Sequence, residues 1–296
     1  FRATIRYNSA MERLARSWEL AKQSLRVLRS NPSLIAFPII SSIAGTLIAV
    51  SFLVPMYFAF GAQAMSEENL PVAAYPLLFL FYVVSYFVVV FFNAGLVYCA
   101  KQTLAGHPAT FGDGFNEATK HLGPILGWAL ISATIGMVLR SISERAGVIG
   151  RIVIGLLGMA WTVLTFFVVP AMVLENVGPV EAVKRSGSTL KKVWGEALVG
   201  TGGIGLAMFL LGMIPVPFMV GSFFVGSWMV ALVVIGLSIL YWLALSAVGS
   251  SLQGIYQTAT YLYAQTGEVP SGFEASLITG AFESKPGMID KFRKRF

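Results

Sequence analysis

Runs of apolar residues long enough to cross a bilayer recur six times along the chain, separated by short polar stretches, and they fall in pairs. The first pair is roughly Leu34 to Phe60 and Tyr75 to Ala100; the second is Leu122 to Leu139 and Val148 to Val173; the third is Ala197 to Met219 and Phe223 to Gly249. A helix needs about 20 such residues to cross the hydrocarbon. The pattern therefore predicts an all-α polytopic membrane bundle, six transmembrane helices arranged as three hairpins. The sixth run has no proline from Phe223 to Thr266, and unbroken helix over that length would exceed ~60 Å, about twice the hydrocarbon thickness. Polar residues enter at Ser250, Ser251, Gln253 and Gln257. They mark an expected exit near Gly249, with Tyr256, Tyr261 and Tyr263 at headgroup level and Gly267 as the C-cap.

A short amphipathic stretch precedes each hairpin, and each carries a Glu followed three residues later by a Lys: Glu19 and Lys22, Glu117 and Lys120, Glu181 and Lys184. The stretches lead through Asn31-Pro32, Gly123-Pro124 and Gly195 into the next span. One i,i+3 pair contributes only a few tenths of a kcal/mol, but three before three hairpins point to a repeated unit of interfacial helix plus two spans. The units run about 11–104, 111–178 and 179–267 within a single membrane domain, 11–282. Residues 1–10 read as a leader or added segment before Met11, and 283–296 as a basic tail.

In the first stretch Leu14, Trp18, Ala21, Leu25 and Leu28 form one apolar stripe at helical spacing, flanked by Lys22, Arg26 and Arg29, with Glu12 and Glu19 pointing away. Such a helix lies in the headgroup layer or packs on the protein's own cytoplasmic face. The stretch from Pro179 to Trp194 carries Lys184, Arg185, Lys191 and Lys192, a second candidate for anionic-lipid contact.

Composition agrees with lipid as the solvent: 56% of residues are hydrophobic and 12% charged, and mean hydropathy is +0.75. The net charge of +7 points to anionic headgroups rather than nucleic acid. Of 21 Lys and Arg, only Arg140, Arg145 and Arg151 fall on the side opposite the rest. The positive-inside rule then puts both termini in the cytoplasm and the Glu67-Glu68 loop outside. The lone Cys99 lies in an apolar run and reads as a small filler.

Chemistry is sparse. His107 and His121 share one loop near Asp113 and Glu117, with no zinc-like spacing, and read as solvated. The glycines from Gly200 to Gly205, like Gly147, Gly150, Gly155 and Gly158, sit inside spans and read as close helix contacts rather than a phosphate loop. The six runs lack ionisable side chains at depth, which argues against a proton relay. Hydroxyl and amide groups remain. Asn93, Thr162, Thr165 and Thr201 are candidates for a polar path or a helix contact. Pro55, Pro76, Pro215 and Pro217 read as span ends, and Pro170 as a kink in the fourth span. No catalytic centre, cofactor or metal is expected.

The segment from Phe167 to Asn176, with Glu181 to Ser186, Trp18 to Ala21 and Tyr261 to Gly267, resembles an uncharacterised prokaryotic family of integral membrane proteins. That family is akin to the membrane domain attached to some glycerophosphodiester phosphodiesterases. The resemblance implies a six-span fold in the prokaryotic inner membrane and transfers no activity. Two functions fit: a passive channel or carrier for a small neutral or lipid-like solute, or a non-enzymatic scaffold that binds anionic phospholipid or a protein partner. Either could involve a homo-oligomer or another membrane protein.

Overall fold

The computed structural model describes residues 18–61, 74–224 and 227–273, the side chains of 194–200 excepted. The leader, Leu14, Glu12, the Glu67-Glu68 loop and the basic tail lie outside the described residues. Among those residues all regular structure is helical. Helix α1 occupies 18–30. A 3-10 turn at Pro32–Ile35 leads into α2 (Ala36–Phe60), followed by α3 (Ala74–Leu104), α4 (Phe111–Lys120), α5 (Leu122–Arg145) and α6 (Val148–Leu164). The remaining helices are α7 (Val168–Glu175), α8 (Pro179–Gly212), α9 (Pro215–Phe224) and α10 (Trp228–Thr266).

Six helical segments are long and apolar enough to cross a membrane: Pro32–Phe60, Ala74–Leu104, Leu122–Arg145, Val148–Glu175, Thr201–Phe224 and Trp228–Thr266. The chain is thus built as a multi-pass membrane protein. Large apolar side chains on these segments remain exposed, Phe58 at 81% and Ile149 at 80% among them, which only a hydrocarbon surrounding makes inexpensive.

Prolines organise the spans, mainly as helix starters. Pro38, Pro76, Pro124, Pro170, Pro179, Pro215 and Pro217 all sit in the first turn of a helix, where the missing N–H would have no partner anyway. Two of these restarts interrupt spans. The ring of Pro170 would collide with the Phe166 carbonyl in a continuous helix, and the fourth span breaks at 165–167 before resuming as α7. Pro215 likewise does not end the fifth span; the chain breaks at 213–214 and continues through α9 to Phe224. Phe223 and Phe224 therefore belong to α9, and the sixth span starts at Trp228. Pro55 does not end its span either, because α2 runs through it to Phe60.

Helix α10 runs unbroken for 39 residues, about 58 Å, past Gly249 as far as Gly267. Much of its far half is covered by protein. Ser251, Leu252, Ile255, Tyr256, Thr258, Ala259 and Tyr261 are buried in protein, Tyr256 at 2% and Tyr261 at 1% exposure. Only Tyr263 keeps partial exposure. Gly267 does cap the helix, at φ 75°, a left-handed geometry that costs glycine little.

Two compact units emerge. One contains α1, Leu104–Gly106 and the chain from Lys191 onward. Its buried side chains include Leu20, Val27 and Leu28 of α1, Ile204 of α8 and Leu252, Ile255 and Tyr256 of α10. After α10 the chain returns: a Cβ on Gly272 would lie 3.0 Å from Val27, and the Ser271 hydroxyl donates to the Leu104 carbonyl. The other unit contains α2 to α7 and the start of α8, through Leu190. Its core gathers Phe37, Val97, Ile125, Phe167 and Met172, whereas α6 contributes no buried residue. In this unit α5 packs on α6; in the first, α9 packs on α10.

Candidate functional site

The three Glu-Lys motifs adopt the same local pairing, with Nζ to carboxylate distances of 3.1 Å for Lys22–Glu19, 2.8 Å for Lys120–Glu117 and 3.6 Å for Lys184–Glu181. Counting from each glutamate, the residues one, eight and twelve places on are buried in every copy: Leu20, Val27 and Asn31; Ala118, Ile125 and Ala129; Ala182, Thr189 and Val193. The helix breaks do not keep register. They fall at Asn31 and at Val193, both twelve places on, but at His121, four places on, in the second copy. The second and third breaks thus precede the glycines at which the sequence placed them. Pro124 explains the second, because a helix continued from α4 would aim the Lys120 carbonyl at its ring.

On α1 the buried face comprises Leu20, Ala21, Ser24, Val27 and Leu28, so the helix packs on protein. Trp18 is 51% exposed, and Lys22, Arg26 and Arg29 are exposed along one flank. Glu19 lies on that flank, within 3.1 Å of Lys22 and 3.9 Å of Arg26, rather than apart from it. On α8, Lys184 and Arg185 pair with Glu181, and Arg185 also approaches Glu175 at 3.6 Å. Lys191 and Lys192 are exposed.

Within the first unit, faces of α1, α8 and α10 enclose an apolar pocket of about 350 Å³. From α1 come Trp18, Ala21, Lys22 and Leu25, spaced as one helical face. Ala207, Met208 and Leu211 of α8 form the second wall, and the third runs along α10 from Tyr241 to Leu252. Among the described residues Lys22 is its one charged lining residue.

The polar groups singled out at depth have separate local settings. Thr162 donates to the Gly158 carbonyl at 2.9 Å and Thr165 to the Trp161 carbonyl at 2.8 Å, each within its own helix. Asn93 is half-buried on α3. Thr201, in the other unit, has a buried hydroxyl without a partner among the described residues. Most of the glycines singled out in the fourth and fifth spans are not packing points within the chain: a methyl group added at Gly155, Gly158, Gly202 or Gly205 would meet nothing within 4 Å, whereas one at Gly150 would lie 2.7 Å from the Ala146 methyl. Small residues permit close approach but do not cause it, and α6 has nothing buried to be drawn against.

Close approach occurs instead between α3 and α4. A Cβ on Gly114 would lie 2.5 Å from the Phe37 ring, 2.6 Å from Cys99 Sγ and 2.7 Å from the Gly95 carbonyl. Around this contact a polar cluster ties the loop down. Asn31 donates to Thr103 Oγ1 and to the Ala109 carbonyl, both at 2.9 Å, and the Cys99 thiol donates to the Thr110 carbonyl at 3.2 Å. Thr110 and Asp113 form a capping box at the start of α4. The Thr110 hydroxyl and backbone N–H hold the Asp113 carboxyl below its ordinary range. His107 is exposed, but His121 is buried at 4% with Nδ1 3.0 Å from the Glu117 carbonyl, so it is a junction residue rather than a solvated one. Among the described residues no three His, Cys, Asp or Glu side chains gather as a metal-binding group.

Side chains that the sequence did not single out repair the two broken spans. Buried Ser186 accepts from the Phe167 N–H at 3.0 Å and donates to the Leu164 carbonyl at 2.6 Å. At the second break Tyr241 donates to the Leu211 carbonyl and the Trp242 indole to the Gly212 carbonyl, both at 2.9 Å. In lipid each freed backbone group needs such a partner. Arg140 is a further link that the sequence did not reveal: it reaches Glu144 at 2.8 Å and Tyr82 of α3 at 2.9 Å.

One protein-family model, described as a family of unknown function (DUF6159), matches residues 72–273. No curated protein and no solved structure matches the chain.

Proposed function

From the premise that the chain belongs to DUF6159, we propose that it is a non-enzymatic membrane protein whose basic helices engage anionic phospholipid headgroups. One observation carries this reading. Helices α1 and α8 bury one side in protein and leave Lys22, Arg26, Arg29, Lys191 and Lys192 exposed on the other. Arg29, Lys191 and Lys192 have no ion-pair partner among the described residues, so their charge is available to a surface. The eighteen-to-three partition of Lys and Arg supports three hairpins with both termini in the cytoplasm of a prokaryotic cell, this surface meeting the inner leaflet.

A cationic side chain near an anionic surface contributes about 1 kcal/mol. Reversing Arg29, Lys191 and Lys192 to Glu should therefore lower salt-sensitive retention of phosphatidylglycerol by more than about tenfold, measured as phosphorus co-purifying with the protein. Unchanged retention would remove the proposal. A second reading, movement of a lipid-like solute, draws support from the apolar pocket between α1, α8 and α10. Scrambling of labelled phospholipid in proteoliposomes is its test, and rates equal to those of protein-free vesicles would exclude it.

A further inference from the structure

We infer that the pocket between α1, α8 and α10 holds one acyl chain of a single anionic phospholipid, with the phosphate at Lys22. This rests on the headgroup reading above and adds a defined site to it. Three small side chains, Ala21, Ala207 and Ala244, clear the space between the helices. Its α10 wall spans twelve residues, from Tyr241 to Leu252, about 16 Å along the axis, so the space is elongated. The volume of about 350 Å³ lies within the ~300–1,000 Å³ of small-molecule sites.

The walls select the occupant. The Tyr241 hydroxyl is committed to the Leu211 carbonyl at 2.9 Å, and the other α8 and α10 lining side chains are aliphatic or thioether groups. Ordered water needs two to four polar partners, and the walls away from the Lys22 rim do not supply them; hydrocarbon needs none. On α10 the neighbouring Leu240 and Leu243 are 63% and 54% exposed, placing the groove beside bilayer chains.

Charge at the rim selects the headgroup. Lys22 and Arg26 share one carboxylate, Glu19, at 3.1 and 3.9 Å, which leaves a net positive charge for one phosphate to neutralise. Half-exposed Trp18 stands at the same rim, an amphipathic ring suited to headgroup level.

Native mass spectrometry of the full chain in neutral detergent, titrated with phosphatidylglycerol or phosphatidylcholine, tests the site. The wild type should saturate with one tightly held lipid and favour phosphatidylglycerol by about fivefold, one charge's worth. Ala244→Trp fills the groove from an exposed position and should weaken that binding roughly tenfold or more, with a melting temperature in lipid-free detergent equal to wild type. Lys22→Glu, a surface change, should abolish the headgroup preference. Several equivalent lipids, retention unaffected by Ala244→Trp, or a preference surviving Lys22→Glu would each overturn the site. The same holds if residues 1–17 of the chain occupy the groove, which deletion of 1–17 would reveal by raising lipid uptake. Failure of the broader reading appears separately, as salt-sensitive vesicle binding unmoved by reversal of Arg29, Lys191 and Lys192 while the single-lipid result stands.

Discussion

Ser186 illustrates how much one hydroxyl can decide inside a bilayer. It is the partner of two backbone groups released by the break before Pro170, the Phe167 N–H and the Leu164 carbonyl. Leaving a buried backbone group unpaired costs about 1–3 kcal/mol. Ser186→Ala should destabilise the protein by about that amount in chemical unfolding from detergent micelles, and a change under ~0.5 kcal/mol would mean that another group satisfies the break. Gly114 makes the opposite kind of demand. Gly114→Ala forces a methyl against Phe37, Cys99 and the Gly95 backbone, an overpacking cost of about 1–3 kcal/mol or more. Gly112→Ala, two residues away, meets only Thr110 Oγ1 at 3.7 Å and should be neutral or gain up to about 1 kcal/mol from helix propensity. Nothing in the local sequence distinguishes the two glycines, because the contacts at Gly114 come from residues 15, 19 and 77 positions away along the chain.

At the scale of elements, α10 departs most from expectation. Polar residues such as Ser251 read in the sequence as an exit into water, yet the Ser251 and Thr258 hydroxyls donate to carbonyls one turn back, those of Ala247 and Gly254. A serine or threonine bonded in this way has its hydroxyl satisfied and can be buried at little cost, so polarity alone does not mark exposure to water. The tyrosines separate the two readings experimentally. As a headgroup anchor Tyr256 would be nearly dispensable, whereas as a core residue its truncation to Ala should cost about 3–5 kcal/mol. Thermal unfolding of Tyr256→Ala beside Tyr263→Ala is the measurement, the half-exposed Tyr263 showing much the smaller effect. The interrupted spans follow one rule at this scale: proline restarts the helix, and a neighbouring helix supplies the partners, Ser186 in one unit and Tyr241 with Trp242 in the other.

For the whole molecule, the testable consequence of six apolar segments is alternation of the loops between compartments. Cys99 is fully buried, so background labelling by a membrane-impermeant maleimide should be low. Cysteines introduced at the exposed positions Gly147 and Gly178 flank the segment Val148–Glu175. They should label from opposite sides of sealed vesicles, and labelling of both from one side would mean that the fourth segment does not cross. The two units share this design, each combining apolar spans with a short helix that buries one face and exposes cations on the other.

The existence and number of the apolar segments, the Glu-Lys pairs and the Gly267 cap were legible in the residues themselves, because hydrophobic length, i,i+3 spacing and a left-handed glycine are local properties. The burial of α1, the fate of the tyrosines on α10, the choice of packing glycines and the repair of the broken spans were decided by tertiary structure. Each depends on which distant helix arrives opposite a given face, and a stripe of apolar residues suits lipid and protein equally well until that neighbour is in place.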